Sequence, residues 1–427
     1  MMEMKKYKLG DLLDVKRGTS LSGEYYSTEG DYVRLTCGNF DYTNNSFKEN
    51  TSKDNIFYTG NVREEFIMQK GDIITPLTEQ AIGLLGSTAI IPESNKYIQS
   101  QDVAKIICNE TLLYPLYAFY LISSEIVKKQ LSAAAQQTKI RHTSPDKIKD
   151  CIVWIPELPE QKRIASILSA LDKKIALNRQ INQNLEALAR QLYDYWFVQF
   201  DFPNEEGKPY KSSGGKMVYN PILKREIPEG WEVKEMEEIC NVRRGASPRP
   251  IDNYMDESHQ GMPWLKISDA TVDNSPFVVN IKEHIIEEGI TKSVEISEGT
   301  LVVTNSATPG LPKFIYKHCC VHDGWLVLTG YKEEEKFYLY YAIEDMRTKL
   351  ERMASGSIFK NLRIEYLQQY KILYPKESIL QHFYYIVSSI LNKSLLMSQQ
   401  ILSLTKQRDE LLPLLMNGQV NFDLSDD

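Results

Sequence analysis

The sequence predicts an α+β protein in which two similar mixed α/β domains, related as a pseudo-two-fold internal repeat, are separated by a pair of long helices. Two apolar stripes of helical period and a repeated plan of short strands lead to this prediction. The predicted divisions are a first domain at 1–155, a spacer helix at 156–198, an ordered connector at 199–230, a second domain at 231–375, a second spacer helix at 376–418 and a tail at 419–427.

The first domain alternates short β-prone runs with glycine, asparagine and aspartate, which break strands and form turns. The runs include Tyr32–Thr36, Ile73–Ile74 and Ala104–Ile107. A single helix is predicted from Leu116 to about Leu131. This mixture is typical of a small globular α/β domain.

Apolar residues then recur at steps of three and four, the period that places side chains on one stripe of a helix. The stripe is formed by Ile164, Leu168, Leu171, Ile175, Asn178, Ile181, Leu185, Leu188, Leu192 and Tyr195. Pro159 suits the first helical turn, and Glu160 suits the positive N-terminal end. About 35 residues at 1.5 Å each would span roughly 50 Å. Such a helix needs a partner for its stripe.

A second stripe of similar spacing lies near the C-terminal end of the sequence. Its members are Phe383, Ile386, Ile390, Met397, Ile401, Leu404, Leu411 and Leu415, and Asn417-Gly418 supplies a stop. Two helices of matched length favour one intramolecular coiled coil, because steps of this kind give a narrow seam. The alternative is that each helix packs on a globular domain.

The connector at 199–230 is rich in glycine, proline and charge, but its aromatic residues predict an ordered segment. Residues 231–375 then repeat the plan of the first domain. Val15–Gly18 is echoed by Val242–Gly245, and Gly71–Ile74 by Gly299–Val302. The pairs Val33–Leu35 with Leu265–Ile267, Gln101–Val103 with His322–Gly324, and Ile155-Pro156 with Tyr374-Pro375 extend the match.

Composition narrows the class of protein. The net charge of −7 does not by itself indicate a nucleic-acid binder, although a binding face needs only a local basic patch. The six cysteines form no CxxC pair, which suits a reducing compartment. No apolar h-region and no run of 18 apolar residues occurs, so we expect a cytoplasmic protein without membrane association.

The motifs of common catalytic sites are missing. The sequence contains no GxxxxGK[ST], no GxGxxG after a strand, no HExxH and no Asn/Asp-Pro-Pro-Tyr. Pro145-Asp146 lacks the further carboxylates of a nuclease metal site. The run His318-Cys319-Cys320-Val321-His322 carries zinc-ligand types, but adjacent cysteines rarely bind one ion, and the repeat aligns this run with an ordinary strand. We therefore expect no catalytic and no metal site.

Basic residues recur where the repeat recurs, next to a glycine that permits close approach to phosphates. The candidate DNA-binding residues are Lys16, Arg17, Arg34, Lys139, Arg141, Arg243, Arg244, Arg249, Lys266, Lys360, Asn361 and Arg363. Arginine can read guanine, and asparagine can read adenine. For any single residue the alternative is a solvated charged surface, so the prediction depends on the paired recurrence.

With these features the sequence resembles the specificity subunit of a type I restriction–modification system over essentially its whole length. The resemblance is carried by four segments, LPEQKRI at 158–164, YWFVQF at 195–200, GKPY at 207–210 and IPEGW at 227–231. After the second long helix it is carried by Leu411-Leu412-Pro413-Leu414 and Asn417-Gly418. The second helix entry, 375–381, PKESILQ, departs from the Pro-x-x-Glu-Gln pattern of the first.

The resemblance implies a noncatalytic subunit with two target-recognition domains, each reading one half of a split double-stranded DNA sequence, while antiparallel helices set the gap. It implies two methylation subunits along the helices and restriction subunits in the full complex, with S-adenosylmethionine, ATP and Mg on those partners and no cofactor in this chain. The partner-binding residues it implies are Gln161, Arg163, Trp196, Phe197, Leu411 and Leu412. The alternative function is a coiled-coil scaffold whose repeated domains bind protein.

Overall fold

The computed structural model describes residues 2–51, 54–79, 83–134, 141–355 and 361–420. The chain divides into two compact units, the first of residues 1–173 and 405–427 and the second of residues 174–404. Both divisions fall within long helices, so each unit contains one mixed domain and part of each helix. The predicted α+β class, with a repeated mixed domain and two long helices, is confirmed.

The first unit contains fourteen described strands around small sheets. These are β1 Lys5–Lys8, β2 Leu13–Arg17, β3 Tyr26–Ser27, β4 Tyr32–Arg34, β5 Phe40–Asp41, β6 Ser46–Phe47, β7 Phe57–Tyr58, β8 Ile73–Pro76, β9 Thr78–Glu79, β10 Ala89–Ile90, β11 Tyr97–Ile98, β12 Val103–Cys108, β13 Arg141–His142 and β14 Ile152–Ile155. The helices are α1 Leu9–Leu12, α2 Pro115–Ile122, α3 Glu125–Ala134, α4 Pro145–Lys149 and α5 Leu158–Tyr193, the last of which continues into the second unit.

The second unit follows the same plan. Its strands are β15 Met217–Asn220, β16 Arg225–Pro228, β17 Glu232–Glu235, β18 Asn241–Arg244, β19 Met262–Leu265, β20 Phe277–Val278, β21 Glu283–Ile285, β22 Val294–Ile296, β23 Thr300–Thr304, β24 Pro312–Ile315, β25 Cys319–Val321, β26 Trp325–Thr329 and β27 Lys371–Tyr374. The helices are α6 Ile267–Ala270, α7 Glu287–Ile290, α8 Lys336–Ser355, α9 Ile364–Gln368 and α10 Glu377–Met416, whose last turns belong to the first unit.

Strand order makes the repeat visible in the structure. The main antiparallel sheet runs β2-β12-β8-β10 in the first unit and β18-β26-β23-β24 in the second, where β20 adds a fifth strand. A parallel pair, β4 with β11 or β19 with β25, belongs to the second sheet of each domain. The strands that open and close each domain also pair, β1 with β14 and β17 with β27.

The predicted helix from Leu116 to Leu131 is wrong in one respect, because the structure divides it into α2 and α3. The division lies at Ser123 and Ser124, whose hydroxyls donate to carbonyls of the preceding turn, Ser124 Oγ to Leu121 O at 2.6 Å. Serine hydroxyls compete in this way with regular helix hydrogen bonds. Of the two long helices, α5 is followed by a π-helical turn at 194–198, and α10 ends just before Asn417.

The long helices contact each other within the second unit. Asn178 Nδ2 donates to Gln400 Oε1 at 3.1 Å, and Asn182 Nδ2 donates to Ser398 Oγ at 2.9 Å. The partner number falls as the residue number rises, so the helices are antiparallel. The alternative interpretation also holds in part, since Phe383 of α10 packs into the core of the second mixed domain.

The connector is ordered because its aromatic residues pack into the second unit. Phe200 and Phe202 are buried, and both rings contact the ring of Trp231. Strands β15 and β16 then form a hairpin that leads into the second domain. No helix in the described part of the chain is long and apolar enough to cross a membrane.

Candidate nucleic-acid interface

Strand β2 ends at an arginine and a glycine that contact the turn before β12. Arg17 Nε donates to the carbonyl oxygen of Gln101 at 2.8 Å. A Cβ on Gly18 would lie 2.2 Å from Ser100 O, so only glycine allows this approach. The rest of the Arg17 side chain is exposed, as is neighbouring Lys16. The strand end therefore presents two cations from a fixed backbone.

The second unit repeats this arrangement at the end of β18. Arg244 Nε donates to the carbonyl oxygen of Asp323 at 2.8 Å, and a Cβ on Gly245 would lie 2.1 Å from His322 O. Arg243 is exposed and donates Nη2–H to Glu295 O at 3.3 Å. The two strand ends thus share one geometry, with the arginine Nε directed inward and the outer guanidinium nitrogens left toward the surface.

A carboxylate in the second unit organises the cations around it. Asp323 Oδ1 accepts from Ser247 Oγ at 2.7 Å, and Asp323 Oδ2 lies 3.4 Å from Arg249 Nη2 and 4.0 Å from Arg244 Nη2. The Ser247 hydroxyl and the positive charge of Arg244 hold the pKa of Asp323 below its usual range. The carboxylate therefore remains charged and orients both arginines.

The late basic segment of the second domain, residues 361–363, is connected to Asp323 by a chain of hydrogen bonds. The backbone N–H of Leu362 donates to Asn305 O at 2.7 Å, and Asn305 Nδ2 donates to Asp323 O at 3.0 Å. Leu362 lies between Asn361 and the exposed Arg363. Two segments that are far apart in the sequence therefore converge beside Arg244.

The first unit has the matching connections. Thr143 N donates to Leu77 O at 2.9 Å, and Leu77 N donates to Asp102 O at 2.8 Å. Strand β13 pairs with β9, which places the backbone of Arg141 opposite Glu79. Each domain thus brings its early and late basic segments together on one backbone frame. The candidates Lys139 and Lys360 lie outside the described residues.

The model of the type I restriction modification DNA specificity domain matches residues 1–187 and 228–406. The chain belongs to this family. It is 25% identical over 361 residues to the type I restriction enzyme MjaIX specificity subunit of Methanocaldococcus jannaschii, covering 83% of this chain and 78% of that protein. It is 24% identical over 475 residues to the HindI specificity subunit of Haemophilus influenzae, covering 98% and 100%.

A solved structure has the same fold. The crystal structure of the type I restriction-modification S subunit from M. genitalium matches with a TM-score of 0.62 at 16% identity, over 97% of this chain and 96% of that one. The predicted resemblance to specificity subunits is therefore confirmed, and the repeated family match agrees with the two mixed domains of the fold.

The candidate DNA-binding residue Arg34 is buried, and its side chain makes contacts within the fold. Its side chain is 8% exposed, its guanidinium donates to Asn55 O at 3.2 Å, and it lies 3.8 Å from the centre of the Tyr26 ring. A cation held between a carbonyl and an aromatic face cannot reach DNA without leaving both. Arg34 is therefore not part of the candidate interface.

The predicted match of Arg34 with Lys266 is also wrong by two residues. In the parallel pairs, Arg34 faces Ile98 and Trp264 faces Cys320, so Trp264 is the counterpart of Arg34. Lys266 matches Thr36 instead, since each precedes a short helical turn as its N-cap. The Lys266 ammonium pairs with Glu283 Oε1 at 2.5 Å.

Three of the implied partner-binding residues are buried within the chain. Gln161 is 1% exposed, with its amide bonded to Tyr114 N and Leu112 O at 2.9 Å each. Trp196 and Phe197 belong to the core of the second unit. These contacts give the three residues a role inside the fold.

The remaining implied partner residues lie nearer the surface. Arg163 is partly exposed and pairs with Glu160 at 3.2 Å. Leu411 and Leu412 are partly buried against the core of the first unit. Their contact with a partner stays a prediction.

Part of the histidine–cysteine run, Cys319–Val321, forms β25, an interior strand of its sheet. Cys319 and Cys320 are fully buried in β25 and belong to different apolar clusters, as expected for neighbours that point to opposite faces of a strand. They cannot ligate one ion together. Among the described residues, no group of three histidine, cysteine or acidic side chains is arranged to hold a metal.

Sequence reasoning missed three residues of the interface, namely Ser247, Asn305 and Asp323. The predicted match of Gln101-Asp102 with His322-Asp323 is wrong by one residue, because Arg17 bonds to Gln101 O where Arg244 bonds to Asp323 O. The alignment therefore gave no reason to connect Asp323 with Arg244. That connection depends on the pairing of β18 with β26, which places Arg244 opposite Leu326.

Proposed function

We propose that this chain is the noncatalytic DNA-recognition subunit of a type I restriction–modification complex, in which each mixed domain reads one half of a bipartite target. The observation that carries the proposal is the repeated strand end, Arg17-Gly18 and Arg244-Gly245, joined in each domain by the late segment at 141–143 or 361–363. Two similar surfaces of this kind suit two half-sites.

The chemistry of the strand ends fits a DNA groove. An arginine that uses Nε inward keeps its two terminal nitrogens for a phosphate or for guanine O6 and N7. Fixing the guanidinium before binding reduces the entropy lost on binding. Arg249 and Arg363 add exposed cations in the second domain, which supports phosphate contacts on either side of the arginine that reads bases.

The long helices would set the gap between the half-sites. At 1.5 Å per residue, α5 is about 54 Å long and α10 about 60 Å long. Both helices are longer than one turn of duplex DNA, which is about 34 Å. The antiparallel bonds of Asn178 and Asn182 across the helix pair support a spacer of defined register.

The chemistry of the complex would belong to other subunits. Two methylation subunits would bind along the helices and carry S-adenosylmethionine, and restriction subunits would add ATP- and Mg-dependent cleavage. The target base would be flipped into the methylation subunit, so this chain would need only to position the duplex. The partners would also share phosphate contacts, which makes a net charge of −7 compatible with DNA binding.

The test is to express this chain with the methylation subunit encoded beside it and to map modified adenines across the host genome. We expect a bipartite motif with a fixed unspecified gap that disappears when this chain is omitted. Methylation that does not depend on this chain would contradict the proposal. A complex indifferent to DNA sequence and salt would favour the protein-binding scaffold instead.

A further inference from the structure

A sharp turn follows β23 in the second domain. The backbone N–H of Thr308 donates to the carbonyl oxygen of Ser306 at 2.7 Å, and the one residue between them, Ala307, has a φ of 59°. A hydrogen bond of this span around a positive φ is the rarer and more strained form of the γ-turn. We call residues 306–308 the Ala307 turn.

The Ala307 turn begins at the residues that orient Arg244. Asn305 is 1% exposed, and its Nδ2–H donates at 3.0 Å to Asp323 O, the same carbonyl oxygen that accepts the Nε–H of Arg244. The backbone N–H of Asn305 also donates to Gly324 O at 2.9 Å. Ala307 comes two residues later, and two residues span at most about 7 Å. The turn therefore lies beside the oriented arginine.

Hydrogen bonds of Thr304 fix the conformation of the turn. The Thr304 hydroxyl donates to Thr308 O and accepts from the N–H of Leu311 at 3.0 Å, and the Thr304 carbonyl accepts from Gly310 N at 2.8 Å. Thr304 itself is fully buried at the end of β23. A strained backbone persists only where its surroundings determine it, and such residues cluster at functional sites. The turn is therefore a preformed element.

The centre of the turn presents a methyl group to solvent. Ala307 is exposed, whereas Ser306 and Thr308 on either side are half-buried. Alanine is disfavoured at a positive φ, where glycine has no steric penalty. The Ala307 methyl therefore has a conformational cost that burial in the fold does not offset.

We propose that Ala307 is a specificity-determining residue of the second domain, and that its methyl group contacts the C5-methyl of a thymine in the major groove. The inference rests on the proposed function, because that function supplies the DNA. A methyl group has no hydrogen-bonding atoms, and the feature of a major-groove base edge that it can recognise is the thymine methyl. The proposal therefore assigns an A·T base pair to the position opposite the turn.

The charges around the turn suit an approach to the base edges. Residues 306–308 are small and uncharged, while Arg244, Arg249 and Arg363 are exposed cations connected to Asp323 or Asn305 through the contacts described above. Cations of this kind can bind phosphates on both sides of a groove, and a small neutral turn can pass between them. The turn therefore fits a position in the groove, with the arginines at its edges.

The experiment measures, by fluorescence anisotropy, how tightly the complex of this chain with the methylation subunit binds its target duplex. Each thymine of both half-sites is replaced in turn by deoxyuridine, which removes only the C5-methyl. Modified adenines pair with thymine, so each half-site contains a position to test. The variant is Ala307→Gly. The matched control is Lys224→Gly, which places glycine at a φ of 53° in the hairpin of β15 and β16.

For the wild-type complex, we expect one deoxyuridine to raise the Kd about fourfold, the effect of one buried methyl group. Ala307→Gly should raise the Kd for the natural duplex by the same factor, and that deoxyuridine should then have no further effect. Lys224→Gly should keep the wild-type response to deoxyuridine. Equal responses of Ala307→Gly and the wild type at every thymine would overturn the assignment of Ala307.

Thermal unfolding of the same chains separates a role in recognition from a role in folding. Glycine adopts a positive φ without strain, so the Tm of Ala307→Gly should equal or exceed that of the wild type. A lower Tm would indicate that the methyl group packs within the fold, which contradicts the proposal. A wild-type complex that binds all DNA sequences equally would overturn the proposed function, and this inference with it.

Discussion

Arg244 donates its Nε–H to the backbone carbonyl of Asp323 at 2.8 Å, across the paired strands β18 and β26. The matched contact in the first domain, from Arg17 to Gln101, has the same length. A bond through Nε fixes the plane of the guanidinium while leaving its terminal nitrogens available. Both domains therefore hold an arginine in one orientation at the same corner of the sheet.

Replacing Arg244 should weaken DNA binding by the assembled complex. We expect Arg244→Ala to raise the Kd for the specific target at least tenfold, because one oriented cation is lost from the groove or the phosphates. The slope of log affinity against log salt should also fall by about one if the lost contact is to phosphate. Fluorescence anisotropy across a salt series measures both quantities.

The control for this variant is Lys208→Ala in the connector, where the lysine is exposed and pairs with Glu206 at 2.9 Å. This substitution removes one positive charge, as Arg244→Ala does, but at a position outside the proposed interface. Equal losses in the two variants would mean that overall charge, and not the position of Arg244, governs binding.

Gly245 should tolerate no side chain. A Cβ at this position would lie 2.1 Å from His322 O, a backbone atom that cannot rotate away. We expect Gly245→Ala to separate β18 from the turn before β26, to lower the apparent Tm and to weaken DNA binding together.

The control for that variant is Gly23→Ala, since the added Cβ at Gly23 would meet nothing closer than 3.9 Å. Thermal unfolding followed by circular dichroism, with DNA binding on the same samples, tests the pair. Normal stability and binding of Gly245→Ala would show that the strand end does not depend on this close approach.

Glu186 lies in a polar cluster inside the second unit. Burial raises the pKa of its carboxyl to about 7, against the opposing hydrogen bond from Ser275, while the charge of Asp273 raises it further and the ammonium of Lys313 lowers it. Other polar groups of the cluster include Ser394 of α10 and Glu344 and Arg347 of α8.

This shift predicts how stability changes with pH. The ordinary value for glutamate is 4.5, so between pH 4.5 and about 7 the folded chain binds the Glu186 proton more tightly than the unfolded chain. The contribution of this group to stability therefore falls as pH rises through that window. Glu186→Gln should raise the apparent Tm at about pH 8 and flatten its decline between about pH 5 and about pH 8.

Glu205→Gln is the control, because Glu205 is exposed in the connector. Differential scanning calorimetry of both variants across this pH range makes the comparison. A lower Tm for Glu186→Gln than for the wild type at the alkaline end would indicate that the ionised carboxylate stabilises the cluster through Lys313, which is the opposite of the expected sign.

The long helices and the repeat were predictable because their signals are local or periodic. In the predicted α5 stripe, Ile164, Leu168 and Ile175 are buried as their spacing predicts, whereas Leu188 and Tyr195 are exposed. The division between α2 and α3 was not predictable from period alone, since Leu121 and Val127 both continue an apolar pattern. The division lies where the hydroxyls of Ser123 and Ser124 donate to carbonyl oxygens of the preceding turn.

The interface was predictable only in outline. The recurrence of Arg17-Gly18 and Arg244-Gly245 indicated two strand ends that share one geometry in the structure, because glycine beside a cation is a short-range signal. The match of Arg34 with Lys266 failed because a slip of two residues preserves the alternation of a strand, so the apolar pattern cannot detect it. The role of Asp323 depends on contacts 74 to 79 residues away, to Arg249 and Arg244.

Lengthening the helix pair should lengthen the gap between the half-sites. In the second unit, Asn178 faces Gln400 and Asn182 faces Ser398, so the position after Gln180 lies opposite the position after Gln399. A heptad inserted at both positions preserves the helix faces. Seven residues add about 10 Å, so the methylated motif should gain about three base pairs of gap.

The control inserts the heptad into α5 alone, which shifts the bonds of Asn182 out of register and should abolish methylation at a fixed gap. Mapping modified adenines for the wild type and both variants, each with the methylation subunit, gives the gap directly. Because both half-site sequences should stay the same while only the gap grows, the double insertion separates spacing from recognition. A motif with an unchanged gap would exclude the helices as the element that measures it.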